Sequence, residues 1–173
     1  MASRRAFLKV GLGASLVLAV GGGVYRATRA APAAPVFVLD GEARAALLAI
    51  VPAILADALA PGPAYATDVD DVIGRVRDAI HALPLASQKE LQDLFGLLAL
   101  APARRLLTGI AGPWAAARPA DVHGFLQDWR VSQFGLLRAA YGALQNLVMG
   151  AWYAAPASWV AIGYPGPPLE WAP

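Results

Sequence analysis

The chain has 173 residues, with 14 basic and 12 acidic side chains, 58% apolar residues and no cysteine. That length suits one domain, and the missing thiols exclude disulfides, thiolate catalysis, iron–sulfur ligation and covalent haem attachment. The formal charge of +2 sits at one end: Arg4, Arg5, Lys9, Arg26 and Arg29 precede residue 34 and leave nine basic against twelve acidic residues beyond it, which removes the compositional case for a nucleic-acid partner.

The first segment, residues 1–33, has the layout of an export signal. A basic start is followed by an uncharged run from Val10 to Val24 and then by Arg26. As a helix that run would reach about 22 Å, short of a hydrocarbon core of about 30 Å. Five glycines, at 11, 13, 21, 22 and 23, weaken it further as a permanent anchor. Ser3-Arg4-Arg5-Ala6-Phe7-Leu8-Lys9 resembles a twin-arginine signal, including the apolar pair Phe7-Leu8 and the lysine behind it. Such signals address a translocase that carries folded proteins, often with a cofactor or partner already bound. Cleavage would fall after Ala33 or Ala30, and retention of the segment is equally compatible with its middle residues, Pro32 and Arg29.

Residues 34–155 read as a helical domain. Only Val36 to Leu39 has any strand character. Asp40 is placed to cap a helix from Gly41 towards Leu59, with Glu42 in its first turn and Pro52 expected to kink or break it. Thr67 and Asp70 resemble a capping box ahead of a stripe of Val69, Val72, Ile73, Val76, Ile80 and Leu83, with Asp71 and Arg75 paired outside. Ser87 to Glu90 gives a second capping box, before Leu91, Leu94, Phe95 and Leu98. A short helix starting at Pro102 runs towards Ile110, and Pro119 opens another with Val122, Phe125, Leu126 and Trp129 on one side. The longest segment spans Val131 to Tyr153, where Leu137, Tyr141, Leu144, Val148 and Trp152 hold one stripe. The expected fold is all-α: a compact bundle of five to six helices with an extended, proline- and aromatic-rich tail at 156–173.

Reactive constellations are scarce. The two histidines, His81 and His123, have no metal-ligand spacing. Ser87, Ser132 and Ser158 lie outside any nucleophile motif, and Asp68, Asp70 and Asp71 crowd a helix start, where the dipole favours acids for structural reasons. No phosphate-binding loop occurs. An enzyme acting alone is not expected, and no catalytic, cofactor or metal residue is assigned.

The aromatic residues tell more. All five tryptophans, Trp114, Trp129, Trp152, Trp159 and Trp171, fall in the second half, and the mean hydropathy of +0.51 implies apolar surface in need of a cover. The nearly uncharged stretch from Pro156 onward can wrap its own bundle or dock on a separate subunit, because rigid rings and prolines lower the ordering cost of either.

With a twin-arginine-like leader, Asp128-Trp129-Arg130, Leu137-Arg138, Trp152-Tyr153, Pro156, Trp159 and the run Ile162 to Pro168, the chain resembles the gluconate 2-dehydrogenase subunit 3-like family. These are the small (gamma) subunits of periplasmic, membrane-associated FAD-dependent sugar and alcohol dehydrogenases. The resemblance implies a non-catalytic subunit without a cofactor of its own. FAD and catalysis would belong to a large glucose–methanol–choline-type subunit, which passes electrons to a cytochrome c subunit or another acceptor. The small subunit's leader would take the folded pair through the twin-arginine translocase to the periplasmic side of the inner membrane. The export residues would be Arg4, Arg5, Phe7, Leu8 and Lys9. The partner interface would use Trp129, Arg130, Arg138, Trp152, Tyr153, Trp159, Tyr164, Pro165 and Trp171. A stand-alone periplasmic or membrane-peripheral helical binding module is the competing expectation.

Overall fold

The computed structural model describes residues 37–166. Among them are seven α-helices and no strand: α1 Gly41–Leu55, α2 Tyr65–His81, α3 Leu85–Ala99, α4 Ala101–Thr108, α5 Pro119–Arg130, α6 Gly135–Tyr153 and α7 Pro156–Ala161. Single 3₁₀ turns occur at Ala56–Ala58 and Trp114–Ala116. The all-helical bundle is therefore as the periodicity predicts, whereas Phe37 to Asp40 is extended chain without a strand partner.

α1 is the central post. It packs against α2, α3, α5, α6 and the turn at Trp114. Composition explains that position: beyond Arg44 it carries no charge, and Ala43, Ala46, Leu47, Ile50, Val51 and Leu55 are all buried. A helix apolar on most sides finds its free-energy minimum inside, and its alanines let neighbours approach closely. Asp40 caps it as expected, its carboxylate accepting from the Ala43 N–H at 2.8 Å. Pro52 does not break it. The ring removes the hydrogen bond to the Leu48 carbonyl, on a side of the helix that is open to solvent, and the α-helix continues to Leu55 before tightening into the 3₁₀ turn. α1 thus ends four residues before the predicted Leu59.

α2 turns Val69, Val72, Ile73, Val76 and Ile80 into the core, each such side chain contributing about 1.5–3 kcal/mol of burial. Neither predicted capping box forms. α2 begins at Tyr65, because the turn at Gly62 already folds the chain back, with the Tyr65 N–H bonded to the Gly62 carbonyl. Thr67 is therefore inside the helix, and Asp70 instead meets Arg44 of α1 at 2.8 Å. α3 likewise starts at Leu85 directly after Pro84, whose fixed φ of −54° sets up the first turn without a side-chain cap. Asp71 and Arg75 do pair, at 3.9 Å.

Freed from a cap, the second residue of that tetrad takes another task. Gln88 is 5% exposed. Its Oε1 accepts from the Phe37 N–H at 3.3 Å, and its Nε2 donates to the carbonyls of His81 (3.0 Å) and Leu83 (2.9 Å). One amide thereby ties the entry segment to the end of α2. His81 reinforces the tie through a 2.9 Å contact of Nε2 with the Phe37 carbonyl and an edge-on approach to the Phe37 ring. Gln88→Leu leaves three backbone groups without partners. We expect it to cost on the order of 3 kcal/mol in urea unfolding, well above the effect of Gln92→Leu, which loses one exposed bond to the Val38 N–H.

At the far end of α3, Arg104 and Trp114 close the helix together. The Trp114 indole N–H donates to the Leu98 carbonyl at 3.0 Å, and the buried Arg104 guanidinium donates to Leu98 and Ala99. A cation there also complements the negative end of the α3 dipole. α4 stops at Gly109, which adopts the left-handed conformation (φ 75°) that such a cap requires. Before α5, Arg118 grips Asp121 with two bonds of 2.7 and 2.8 Å and holds its carboxyl below the ordinary carboxylate range. Both groups are open to solvent, so the pair adds little to stability.

Candidate functional site

The interface residues expected from sequence do not form one surface. Trp129 belongs to the core. At 2% exposed it lies in the α5 stripe with Val122, Phe125 and Leu126, and its indole N–H donates to the Leu107 carbonyl at 2.8 Å. Its ring stands edge-on to Phe125 at 5.3 Å, and Phe125 stands edge-on to Trp114 at 6.0 Å. The helical spacing that makes Trp129 part of a stripe also turns it into the core.

Tyr153, Trp159 and Tyr164 do come together, around the end of α6, while Trp152 packs towards the core and Pro165 follows Tyr164 in the chain. That helix buries only Leu144, Val148 and Ala151, while Leu137, Tyr141 and Trp152 pack half-buried against the core. After Tyr153 the chain turns and enters α7 at Pro156, where the buried Ser158 hydroxyl donates to the Ala155 carbonyl at 2.8 Å. The stretch expected to be extended is therefore helical over Pro156–Ala161. Trp159 then acts as a hub. Its indole N–H donates to the Tyr153 carbonyl at 2.7 Å, satisfying one of the free carbonyls at the end of α6. The Tyr164 ring meets it edge-on at 5.3 Å. The Tyr164 N–H returns to the Trp159 carbonyl across Gly163 (φ 68°), the long bond of a Schellman-type cap. Gly166 (φ 96°) lies so close that a Cβ there would stand 3.3 Å from the Trp159 ring. Around this hub Tyr153, Ile162, Tyr164 and Pro165 are exposed. The outcome is a small aromatic knob with a fixed backbone.

Arg130 and Arg138 stand elsewhere. Both are exposed near the α5–α6 corner, and Arg138 donates through Nη1 to the Ser132 carbonyl of its own chain. Along α6, residues 138 and 152 are separated by about 21 Å, so these arginines are not part of the knob. Beside them the structure exposes Val131, Phe134 and Leu136, which the sequence reading did not single out. The available signal was phase: Leu136 falls one position off the Leu137–Tyr141–Leu144 stripe. Arg4, Arg5, Phe7, Leu8, Lys9 and Trp171 lie outside the described residues.

Several of the polar side chains singled out in the sequence make local structural contacts. Asp70 and Asp71 are in surface ion pairs, Ser132 accepts from the Phe134 N–H, and Ser158 caps a turn. Among the described residues no three His, Asp or Glu side chains gather as a metal site, and no helix is long and apolar enough to cross a membrane. Compared with protein-family models, curated proteins and solved structures, the chain matches none.

Proposed function

We propose that this protein is a non-catalytic small subunit of a periplasmic FAD-dependent dehydrogenase complex. It binds the flavoprotein subunit in the cytoplasm, stabilises its folded form and carries it through twin-arginine export. The observation that carries the docking half of this proposal is the knob around Trp159, with Tyr153, Ile162 and Tyr164 exposed on a backbone already fixed by hydrogen bonds. Pre-ordered aromatic anchors spare the entropy that a flexible tail would lose on binding. In an interface of standard size, about 1,600 Å², a few such anchors set the affinity. The leader supports the export half, and the run from Trp152 to Pro168 supports the choice of partner.

Binding of this kind stabilises the large subunit by mass action, by about 2.7 kcal/mol at a concentration 100 times Kd. A flavoprotein that crosses the membrane folded has to retain FAD before transport, and a bound escort favours that state. The redox chemistry belongs to the flavoprotein, and the residues of this chain supply contact area and an address.

The experiment is co-purification with the flavoprotein after co-expression. Trp159→Ala removes the indole that positions Tyr153 and Tyr164. We expect about a 30-fold loss of affinity for the flavoprotein, with the helical circular dichroism of α1 to α6 retained. Undiminished co-purification of the Trp159→Ala chain would refute docking through this knob.

A further inference from the structure

The corner between α5 and α6 presents three large apolar side chains to solvent. Val131 is 72% exposed, Phe134 59% and Leu136 69%. They fall within six consecutive residues between α5 and α6, and their high exposure makes them stand out from the corner into solvent. No core position calls for them: the bundle is closed by Trp129 on one side and by Leu144 and Val148 on the other. Exposed apolar residues grouped in this way mark a contact with a protein or with a membrane.

The charged side chains that flank the edge along the chain are both basic. Arg130 and Arg138 flank it, both exposed. Arg138 uses one of its N–H groups on the Ser132 carbonyl and keeps others free. The first turn of α6 contains no acid, and its N-cap residue, Phe134, makes no side-chain cap bond, so the positive end of a 19-residue helix faces the same edge. From Arg130 to Gly166 the only charged side chains are these two arginines. The nearest acid in the chain, Asp128, stands two positions before Arg130, about 200° around α5 from it. An acidic protein surface and an anionic lipid surface both complement positive charge. The lipid surface also accommodates protruding apolar side chains without a matching cleft, which a protein surface would have to supply.

We infer that the α5–α6 corner is a membrane-contact edge: Val131, Phe134 and Leu136 insert at the headgroup–acyl boundary of an anionic bilayer while Arg130 and Arg138 pair with lipid phosphates. The contact is peripheral. Three side chains give shallow insertion, and two arginines give a preference for anionic headgroups that salt screens. This edge lies at the opposite end of α6 from the knob around Trp159, so lipid and a protein partner engage different residues.

The absence of cysteine makes the test clean. In the full-length chain, Phe134→Cys carrying an environment-sensitive fluorophore reports insertion at the edge. Leu85→Cys, an exposed position at the start of α3, carries the same dye as control. With vesicles rich in phosphatidylglycerol, the dye at 134 is expected to shift to the blue and become accessible to quenchers placed in the acyl chains. The dye at 85 stays in water, even where the leader tethers the chain to the same vesicle. Arg130→Gln with Arg138→Gln lowers the vesicle affinity read at 134 by about tenfold, and phosphatidylcholine vesicles give a comparably weak response. An unshifted dye at 134, or equal signals at 134 and 85, overturns the inference. So does a response that is the same on both vesicle types. A dye at 134 that is covered instead by the flavoprotein, or by a second unlabelled copy of the chain without vesicles, would assign the edge to a protein and likewise overturn it.

Discussion

Trp129→Ala will remove roughly half of the domain's folding free energy. The side chain is 2% exposed, it stacks edge-on against Phe125, and its N–H satisfies the Leu107 carbonyl. Truncating a buried tryptophan costs about 3–5 kcal/mol in lost transfer energy and cavity, and the orphaned carbonyl adds to that. Domains are stable by only about 5–15 kcal/mol, so the urea midpoint should fall steeply and the unfolding slope should change little. Trp159→Ala makes a sharp control, because that ring covers the outer end of α6 and its loss loosens only residues after 153. A shift for Trp129→Ala no larger than the 0.5 kcal/mol or so of a surface replacement would show that Trp129 is not a core residue.

These two tryptophans also show what could be read in the chain. Trp129 sits at the proper spacing from Val122 and Phe125, and periodicity alone places it inside; the family resemblance puts it at an interface, which its phase on α5 does not allow. The same periodicity gives the buried faces of α2 and α5 almost residue by residue, because burial of a stripe is a local pattern, whereas on α6 only Leu144 and Val148 of the expected stripe are buried and Leu137, Tyr141 and Trp152 stay half-buried. Helix starts were less legible. At Tyr65 and Leu85 a glycine-proline turn and a proline begin the helix themselves, so the Thr67 and Ser87 boxes, though well formed as sequence, lie inside it. Pro156, where the extended tail is expected to begin, occupies the first position of α7, where its missing N–H costs nothing.

Long-range features carried no local signature. Gln88 joins backbone groups 51, 7 and 5 residues away, and nothing in a window around it reveals those partners. The split of the expected interface has the same origin. Arg130, Arg138, Trp152 and Trp159 are close in sequence, but the length of α6 separates the two arginines from the two tryptophans. The apolar edge at Val131, Phe134 and Leu136 becomes visible only once the core is known to be complete without it.

The second large effect concerns the first nine residues. Arg4→Lys with Arg5→Lys keeps the charge of the leader and changes only the geometry of its side chains: the planar, five-donor guanidinium becomes a point charge. A general requirement for positive charge is therefore left satisfied, while recognition of an arginine pair is lost. Residues 37–166 are untouched, so the proposed docking on a flavoprotein is expected to persist. Both proteins are then expected to remain in the cytoplasm as a complex with FAD bound, and the periplasm loses dehydrogenase activity almost completely.

The fate of the flavoprotein in that strain tests the escort role most directly. FAD and the large subunit are measured in periplasmic and cytoplasmic fractions of cells that co-express it with the wild-type chain or with the doubly substituted one. The account predicts that both chains move to the cytoplasmic fraction together, with their flavin. A FAD-loaded large subunit that still reaches the periplasm beside the lysine-substituted leader would contradict it.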